Sequence, residues 1–261
     1  MTSDLDLAHR LADAADAITL RRFRAQDLTV TAKPDLTPVS DADLAVETAL
    51  RALLAADRPS DAVLGEEHGV TGTGPRRWVV DPVDGTKNYV RGVPVWATLI
   101  ALQVDGVVEV GVVSAPALGR RWWAARGHGA FAGPSYDAGT RLRVSGVATL
   151  GDAHLSWSSL QGWQDQGRLD GLLQLSQKCW RTRAFGDFWS HVLVAEGAVD
   201  ASFEPEVSLW DLAALQVVVE EAGGRFTDLA GQATPAGGSV VCSNGLLHDT
   251  VLSHLSPGGP R

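Results

Sequence analysis

Trp78-Val79-Val80-Asp81-Pro82-Val83-Asp84-Gly85-Thr86-Lys87-Asn88 is a short apolar run that ends in two acids three residues apart. The apolar triplet suits a strand, and Asp81-Pro82 suits its carboxyl end opening into a turn. From a tight turn both carboxylates can point the same way and share a cation. Hard divalent ions such as Mg²⁺ take oxygen ligands at about 2.1 Å and are commonly held by carboxylates together with a substrate phosphate. The Val83 carbonyl would add a neutral ligand. Gly85-Thr86 then offers backbone N–H groups with little steric cover where a helix is expected to start, an arrangement that grips anions. The same residues also suit a plain Asx turn with a capping aspartate, and alone the stretch does not choose between the two.

More acids stand at comparable places. Gly65-Glu66-Glu67 follows the apolar Ala62-Val63-Leu64, and Trp210-Asp211 opens a helix expected over Leu212–Glu221. An aspartate in a first helical turn is favoured by the dipole and is usually only a cap. Taken together, Glu66, Asp81, Asp84 and Asp211 all sit where a strand or helix ends, the position from which side chains converge on a cleft.

Around these acids the period of the sequence alternates. Leu7, Leu11, Ala14, Ala15, Ile18 and Phe23 recur at helical steps, and a second helix is expected over Asp41–Ala55 behind the cap Ser40. Ala97–Val104 and Val107–Val113 flank Asp105-Gly106, a two-residue hairpin signal. Arg120–Ala125, Gly127–Phe131 and Arg141–Val144 continue an antiparallel meander. After Gly151 helices are expected over Gly167–Gln177, Phe188–Glu196, Leu212–Glu221 and Leu246–His254, with short strands near Ser202 and at Ser239–Cys242. Gly223-Gly224 supplies a helix stop, Pro235–Gly238 a surface turn, and Ser256–Arg261 a frayed tail. The fold class is α+β, with lobes over residues 1–150 and 151–261.

Composition narrows the function. With 261 residues, 45% of them apolar, the chain can bury a substantial core. Its 22 basic residues against 31 acidic ones leave a net charge of −9, the opposite of the footprint that phosphate backbones require, so nucleic acid is not an expected partner. The longest uncharged apolar stretch, Val93–Leu102, is about half of what spans a bilayer, and the amino terminus has early acids and no basic region before an apolar one. No membrane partner is expected, and a cytoplasmic location is. Cys179 and Cys242 form neither a disulfide framework nor a zinc spacing and read as buried thiols. The seven histidines are scattered; His68, beside Glu67, is the one nearest an acidic motif.

The set Gly65-Glu66-Glu67, Asp81-Pro82-Val83-Asp84-Gly85-Thr86-Lys87-Asn88 and Trp210-Asp211-Leu212-Ala213-Ala214 resembles the signature of the inositol-monophosphatase superfamily of Mg²⁺-dependent phosphatases. Lys33-Pro34-Asp35-Leu36-Thr37-Pro38-Val39-Ser40-Asp41 and Glu220-Glu221-Ala222-Gly223-Gly224 are similar to further stretches of it. The resemblance implies a layered α/β/α/β/α sandwich of the sugar-phosphatase type, with a mostly antiparallel first sheet and a mixed second one. It implies two or three Mg²⁺ ions: Glu66, Asp81 and the Val83 carbonyl at the first, Asp81, Asp84 and Asp211 at the second, Glu66 with waters at a third. It assigns Glu66 and Thr86 to orienting the attacking water, Asp41 to polarising the Thr86 hydroxyl, and Asp84, Gly85 and Thr86 to holding the phosphate. It also implies a homodimer.

Arg181-Thr182-Arg183-Ala184-Phe185-Gly186-Asp187-Phe188 occupies the segment where polyol-specific relatives place a small residue after the glycine; here Asp187 stands there. An acid aimed at the leaving group favours a cationic alcohol. Glu204 matches a substrate-facing glutamate of the family, Asp211 also faces the ester, and Arg183 matches a position with a substrate or dimer role. Phe185, Phe188 and Trp189 could neighbour a cation or imidazole, but a core role is the favoured expectation for each. With Arg120–Gly127 and Ser156–Trp163, the chain is most similar to the branch, found in actinobacteria, that hydrolyses L-histidinol phosphate. Inositol 1-phosphate, a sugar bisphosphate, a 3′-phosphoadenosine nucleotide, or a catalytically silent interaction module are the alternatives.

Overall fold

The computed structural model describes residues 3–34 and 36–256. Asp35, and the expected tail apart from Ser256, lie outside the described residues. In chain order the helices are α1 (Asp4–Arg22), α2 (Asp41–Asp57), α3 (Thr86–Val90), α4 (Leu160–Asp165), α5 (Leu169–Ser176), α6 (Asp187–Ala195), α7 (Leu209–Glu221) and α8 (His248–Leu255). The strands are β1 (Val30–Ala32), β2 (Pro38–Ser40), β3 (Ala62–Gly65), β4 (Gly69–Thr71), β5 (Arg76–Asp84), β6 (Ala97–Val104), β7 (Val107–Ala115), β8 (Arg120–Ala125), β9 (Gly129–Gly133), β10 (Thr140–Arg141), β11 (His154–Trp157), β12 (Arg181–Arg183), β13 (Ala201–Glu204), β14 (Arg225–Thr227) and β15 (Val240–Ser243).

Strands β10-β9-β8-β7-β6-β5-β3-β4 form one sheet, antiparallel except between β3 and β5. Asp105 and Gly106 both take positive φ and close the β6–β7 hairpin as the sequence predicts. This sheet is covered on both faces, which is why its central strands read as nearly continuous apolar runs. Trp78, Val80, Ile100 and Leu102 meet Leu7, Leu11, Val46 and Leu50 of α1 and α2 on the outer side. Val79, Leu99, Ala101 and Val113 meet Val192, Leu212, Leu215 and Val218 of α6 and α7 on the inner side.

The second sheet, β12-β11-β13-β15-β14, is mixed: β11 pairs parallel with β12 and β13, and β15 antiparallel with β13 and β14. Its inner residues Val240 and Cys242 join the α6–α7 layer, while Leu155, Phe203 and Val241 pack on Trp163, Leu172, Leu175 and Val251 from α4, α5 and α8. Five layers result, with α6 and α7 in the middle. Cys242 is buried and Cys179 only partly so.

Boundaries differ from the sequence expectation where tertiary contacts intervene. The strand at Trp78 runs on to Asp84. The segment Arg141–Val144 keeps a last bond to β9 through Leu142 N–H and the Ala130 carbonyl, then leaves the sheet as Val144 N–H turns to the carbonyl of Ala222 behind α7. The helix expected from Leu212 begins three residues earlier, at Leu209 behind Ser208. Helix α4 and strand β14 carry patterns too short to read in advance.

Helix α7 presses closely on β7. A Cβ at Gly111 would stand 2.6 Å from both the Ala214 carbonyl oxygen and Val217 Cγ1. Gly111→Ala is therefore expected to push α7 off the sheet and lower the unfolding free energy by about 1–3 kcal/mol, read from the denaturant midpoint; an unchanged midpoint would contradict this close approach.

Candidate active site

In a regular strand, residues three apart face opposite sides of the sheet. Asp81 and Asp84 escape that rule through a bulge: on β5, Asp81 pairs with Leu99 and Asp84 with Ala97, so one extra residue is accommodated between them. Pro82 sits in the bulge, where its missing N–H costs no ladder bond. The irregularity is held by Thr98 Oγ1 donating to the Pro82 carbonyl (2.8 Å) and Val83 N–H donating to Asp81 Oδ1 (2.9 Å). Gly85 then turns with φ of 83° into α3. A Cβ there would meet the Val95 carbonyl oxygen at 3.1 Å, so glycine serves both conformation and space.

Asp211 arrives from the other side. It is the third residue of α7 and returns its carboxylate to the Ser208 N–H (2.7 Å), a capping box that fixes its direction. Carboxylate oxygens of Asp81, Asp84 and Asp211 all lie within 4.8 Å of one another. Glu66 is outside this trio; its carboxylate, with that of Glu67, is held by Lys33 Nζ at 2.7 and 2.6 Å.

Burial, then the charges of Glu66, Asp84 and Asp211, push the Asp81 carboxyl well above the usual carboxylate range. Asp84 is raised by burial and by Asp187 and Asp211, against the pull of the Phe188 N–H at 2.6 Å. Burial lifts Asp211 to about 7, the Ser208 N–H working against it and the charges of Glu66 and Glu204 adding to it. An all-oxygen donor set, partly to fully buried and self-repelling, fits a hard divalent cation. The Val83 carbonyl accepts from Thr86 Oγ1 (2.8 Å) and keeps a second lone pair.

The Thr86 hydroxyl also lies 3.1 Å from Asp43 Oδ1. This corrects the assignment of Asp41, whose carboxylate instead receives Arg22 Nη2 at 2.6 Å and Nε at 3.2 Å. Helix geometry explains the exchange. Asp41 opens α2 and faces α1, whereas Asp43, at the third position, folds back onto Ser40 N–H (2.9 Å) with one oxygen and reaches Thr86 with the other. The capping pattern Ser40-x-x-Asp43 was the available signal.

Beside the trio lies a cavity of about 300 Å³ lined by Asp84, Lys87, Asp187, His191, Glu204 and Asp211 among others. Gly186 and Asp187 both have positive φ (69° and 49°), so Asp187 is held in a conformation unusual for a non-glycine residue. Its Oδ2 accepts from Asn88 Nδ2 at 3.2 Å. Burial and the Glu204 charge raise its carboxyl to about 6, against Lys87 and His191. Glu204 Oε1 lies 2.9 Å from Nε2 of His191, a buried histidine the sequence did not single out. Burial pulls the imidazole pKa down, but Cys242 at 3.1 Å and Glu204 outweigh it and lift it to about 10. Arg183 does not line this cavity: it lies exposed on the edge strand β12, donating to the Thr182 carbonyl. A larger, more apolar recess of about 650 Å³ along Trp123, Phe131 and Tyr136 contains none of these acids.

Folding tightens the protons on Asp81, Asp84 and Asp211, so without divalent cations these groups cost stability progressively as pH rises from about 4 through about 7. Asp84→Asn removes one like charge while its amide oxygen can still accept from Phe188. In chelated protein near pH 8 it is expected to raise the unfolding free energy by about 1–2 kcal/mol and to abolish any stabilisation by added Mg²⁺. A chelated variant less stable than its parent would contradict the repulsion described here.

The chain matches the inositol monophosphatase family model over residues 1–258. It is 61% identical over 257 residues to a histidinol-phosphatase of Streptomyces coelicolor, covering 97% of each chain. It is 62% identical to a histidinol-phosphatase of Mycobacterium tuberculosis, with 98% of each covered. Among solved structures, a Thermotoga maritima IMPase superposes with a TM-score of 0.86 at 30% identity, over 96% of both chains. The family model, the sequence identities and the fold agree: the chain belongs to the inositol monophosphatase family.

Proposed function

We propose that this chain is a Mg²⁺-dependent phosphoric monoester hydrolase that converts L-histidinol phosphate to L-histidinol. The observation that carries the reading is the trio of Asp81, buried, with Asp84 and Asp211, partly buried, the latter two lining a cavity with two more acids, Asp187 and Glu204. The two relatives above 60% identity, both named histidinol-phosphatase, support the choice of ester.

Asp81, Asp84, Asp211, Glu66 and the Val83 carbonyl would hold two or three divalent cations. When bound, these supply Lewis-acid chemistry, acidifying water and neutralising charge on the departing oxygen. The chain's own part is positional. Asp43, raised by burial despite its bonds to Ser40, meets the Thr86 hydroxyl, which with Glu66 orients the attacking water. Asp84, Gly85 and Thr86 border the phosphate, and α3 begins without a side-chain cap on its first N–H groups. Asp187 and Glu204 face the alcohol. A primary amine and an imidazole complement this acidic wall, whereas an inositol ring gains no charge contact. Retention of all the metal acids with Thr86 weighs against a silent interaction module. A homodimer carries over from relatives as part of the same proposal.

Purified protein with Mg²⁺ is expected to release phosphate from histidinol phosphate, and EDTA or Asp84→Asn to stop release. Turnover of inositol 1-phosphate at an equal or higher kcat/KM would refute the ester assignment while leaving the phosphatase reading in place.

A charge-assisted contact is worth about 1.5–3 kcal/mol, so Asp187→Ala is expected to raise KM for histidinol phosphate by roughly ten- to a hundredfold, with little change for an uncharged alcohol's phosphate ester. Equal increases for both would make Asp187 a scaffold acid.

A further inference from the structure

Glu47 has no part in the chemistry above, yet it is a carboxylate with no exposed surface. Its hydrogen bonds go to the turn that carries Glu66. Oε2 accepts from the Glu67 N–H at 2.7 Å, and Oε1 from the His68 N–H at 3.1 Å and Arg51 Nε at 2.7 Å, with His68 Nδ1 at 3.3 Å. An apolar side chain would fill a core position at lower cost than a buried carboxylate, whose desolvation is offset here by two consecutive backbone N–H groups and an arginine. Those partners define a clamp on the backbone.

The clamp explains a feature of the motif itself. A Cβ at residue 65 would collide with the Glu47 carboxylate group, so Gly65 leaves the room through which Glu47 reaches the turn. On the near side of the same turn, the Glu66 N–H donates to the Val80 carbonyl at 3.3 Å, tying it to the strand that bears Asp81. Glu66 is thus held between β5 and Glu47.

Helix α2 organises the rest. Asp43, Glu47 and Arg51 follow one another at four-residue steps and share one helix face. Asp43 reaches Thr86, Glu47 the turn at residues 67 and 68, and Arg51 the Gly69 carbonyl and Thr71 Oγ1 of β4. One helix face therefore sets the relative placement of the threonine hydroxyl and the backbone turn that carries Glu66.

We propose that Glu47 is a positioning residue for the cation site, fixing the backbone on which Glu66 and Glu67 stand; this rests on the metal-phosphatase reading given above. Glu47→Gln keeps the size but sets an amide against one of the N–H donors it must accept. The full-length protein, stripped of metal, is titrated with Mg²⁺ in a calorimeter, and the half-saturating Mg²⁺ for phosphate release is measured alongside. Loss of such a supporting hydrogen bond is expected to weaken Mg²⁺ binding and raise half-saturation about tenfold or more, with KM for the ester at saturating Mg²⁺ changing less than about twofold.

Leu54→Ala, a buried change farther along α2, controls for loss of stability. If Glu47→Gln lowers Tm as Leu54→Ala does while binding Mg²⁺ as the parent does, Glu47 is only scaffold and the proposal fails. If Glu47→Gln does not fold, Arg51→Met, which leaves the carboxylate but frees it from Nε, decides by the same measurements: weaker Mg²⁺ binding supports the clamp and unchanged binding overturns it. A parent protein that binds no Mg²⁺ would overturn the metal-phosphatase reading instead.

Discussion

Like charges resist crowding, most of all where water is scarce. Three carboxylates within 4.8 Å of one another are the constraint from which the rest of this structure follows. Nothing about a strand or a helix brings acids together by default. The chain does so with a one-residue bulge at Pro82 that turns Asp84 to the side of Asp81, and with a capping box that turns Asp211 back toward them. Each device spends local regularity to place one oxygen, and the surrounding five-layer packing absorbs the repulsion. A cation at this place is favoured by the same electrostatics that make the bare cluster costly.

The layers serve that placement. Because α7 lies between the two sheets, Asp211 is brought to β5 by packing that involves both, and the absence of a side chain at Gly111 sets how close it comes. Because α2 covers the outer face of the first sheet, its polar stripe of Asp43, Glu47 and Arg51 reaches under the sheet edge to Thr86 and the Glu66 turn. The acidic wall of Asp187 and Glu204 belongs to the middle layer and the second sheet. On the function proposed above, hydrolytic chemistry and choice of alcohol would be carried by different elements, one set around β5 and the other around α6 and β13.

Much of this was readable in the sequence, and the exceptions have physical causes. The apolar run into Asp81-Pro82 and the hairpin at Asp105-Gly106 announce themselves through period and turn chemistry; of the four scattered acids, the structure gathers Asp81, Asp84 and Asp211 and leaves Glu66 paired with Lys33. The exchange of Asp41 for Asp43 was not resolved, because acids two apart at a helix start differ only in which way the first turn points them. Glu47 and His191 were missed for a related reason: each sits in an otherwise ordinary helical pattern, and only the partner brought across the fold reveals its role. Arg183 matched by position in the chain, but position along an edge strand does not determine which way the side chain runs.

Whether the clustered acids hold cations is decided by anomalous diffraction from crystals grown with Mn²⁺ in place of Mg²⁺. A peak is expected between Asp81, Asp84 and Asp211, with a second shared by Asp81, Glu66 and the Val83 carbonyl once Lys33 gives up Glu66. Crystals in saturating Mn²⁺ that show the three aspartates in place and no anomalous density between them would contradict that expectation.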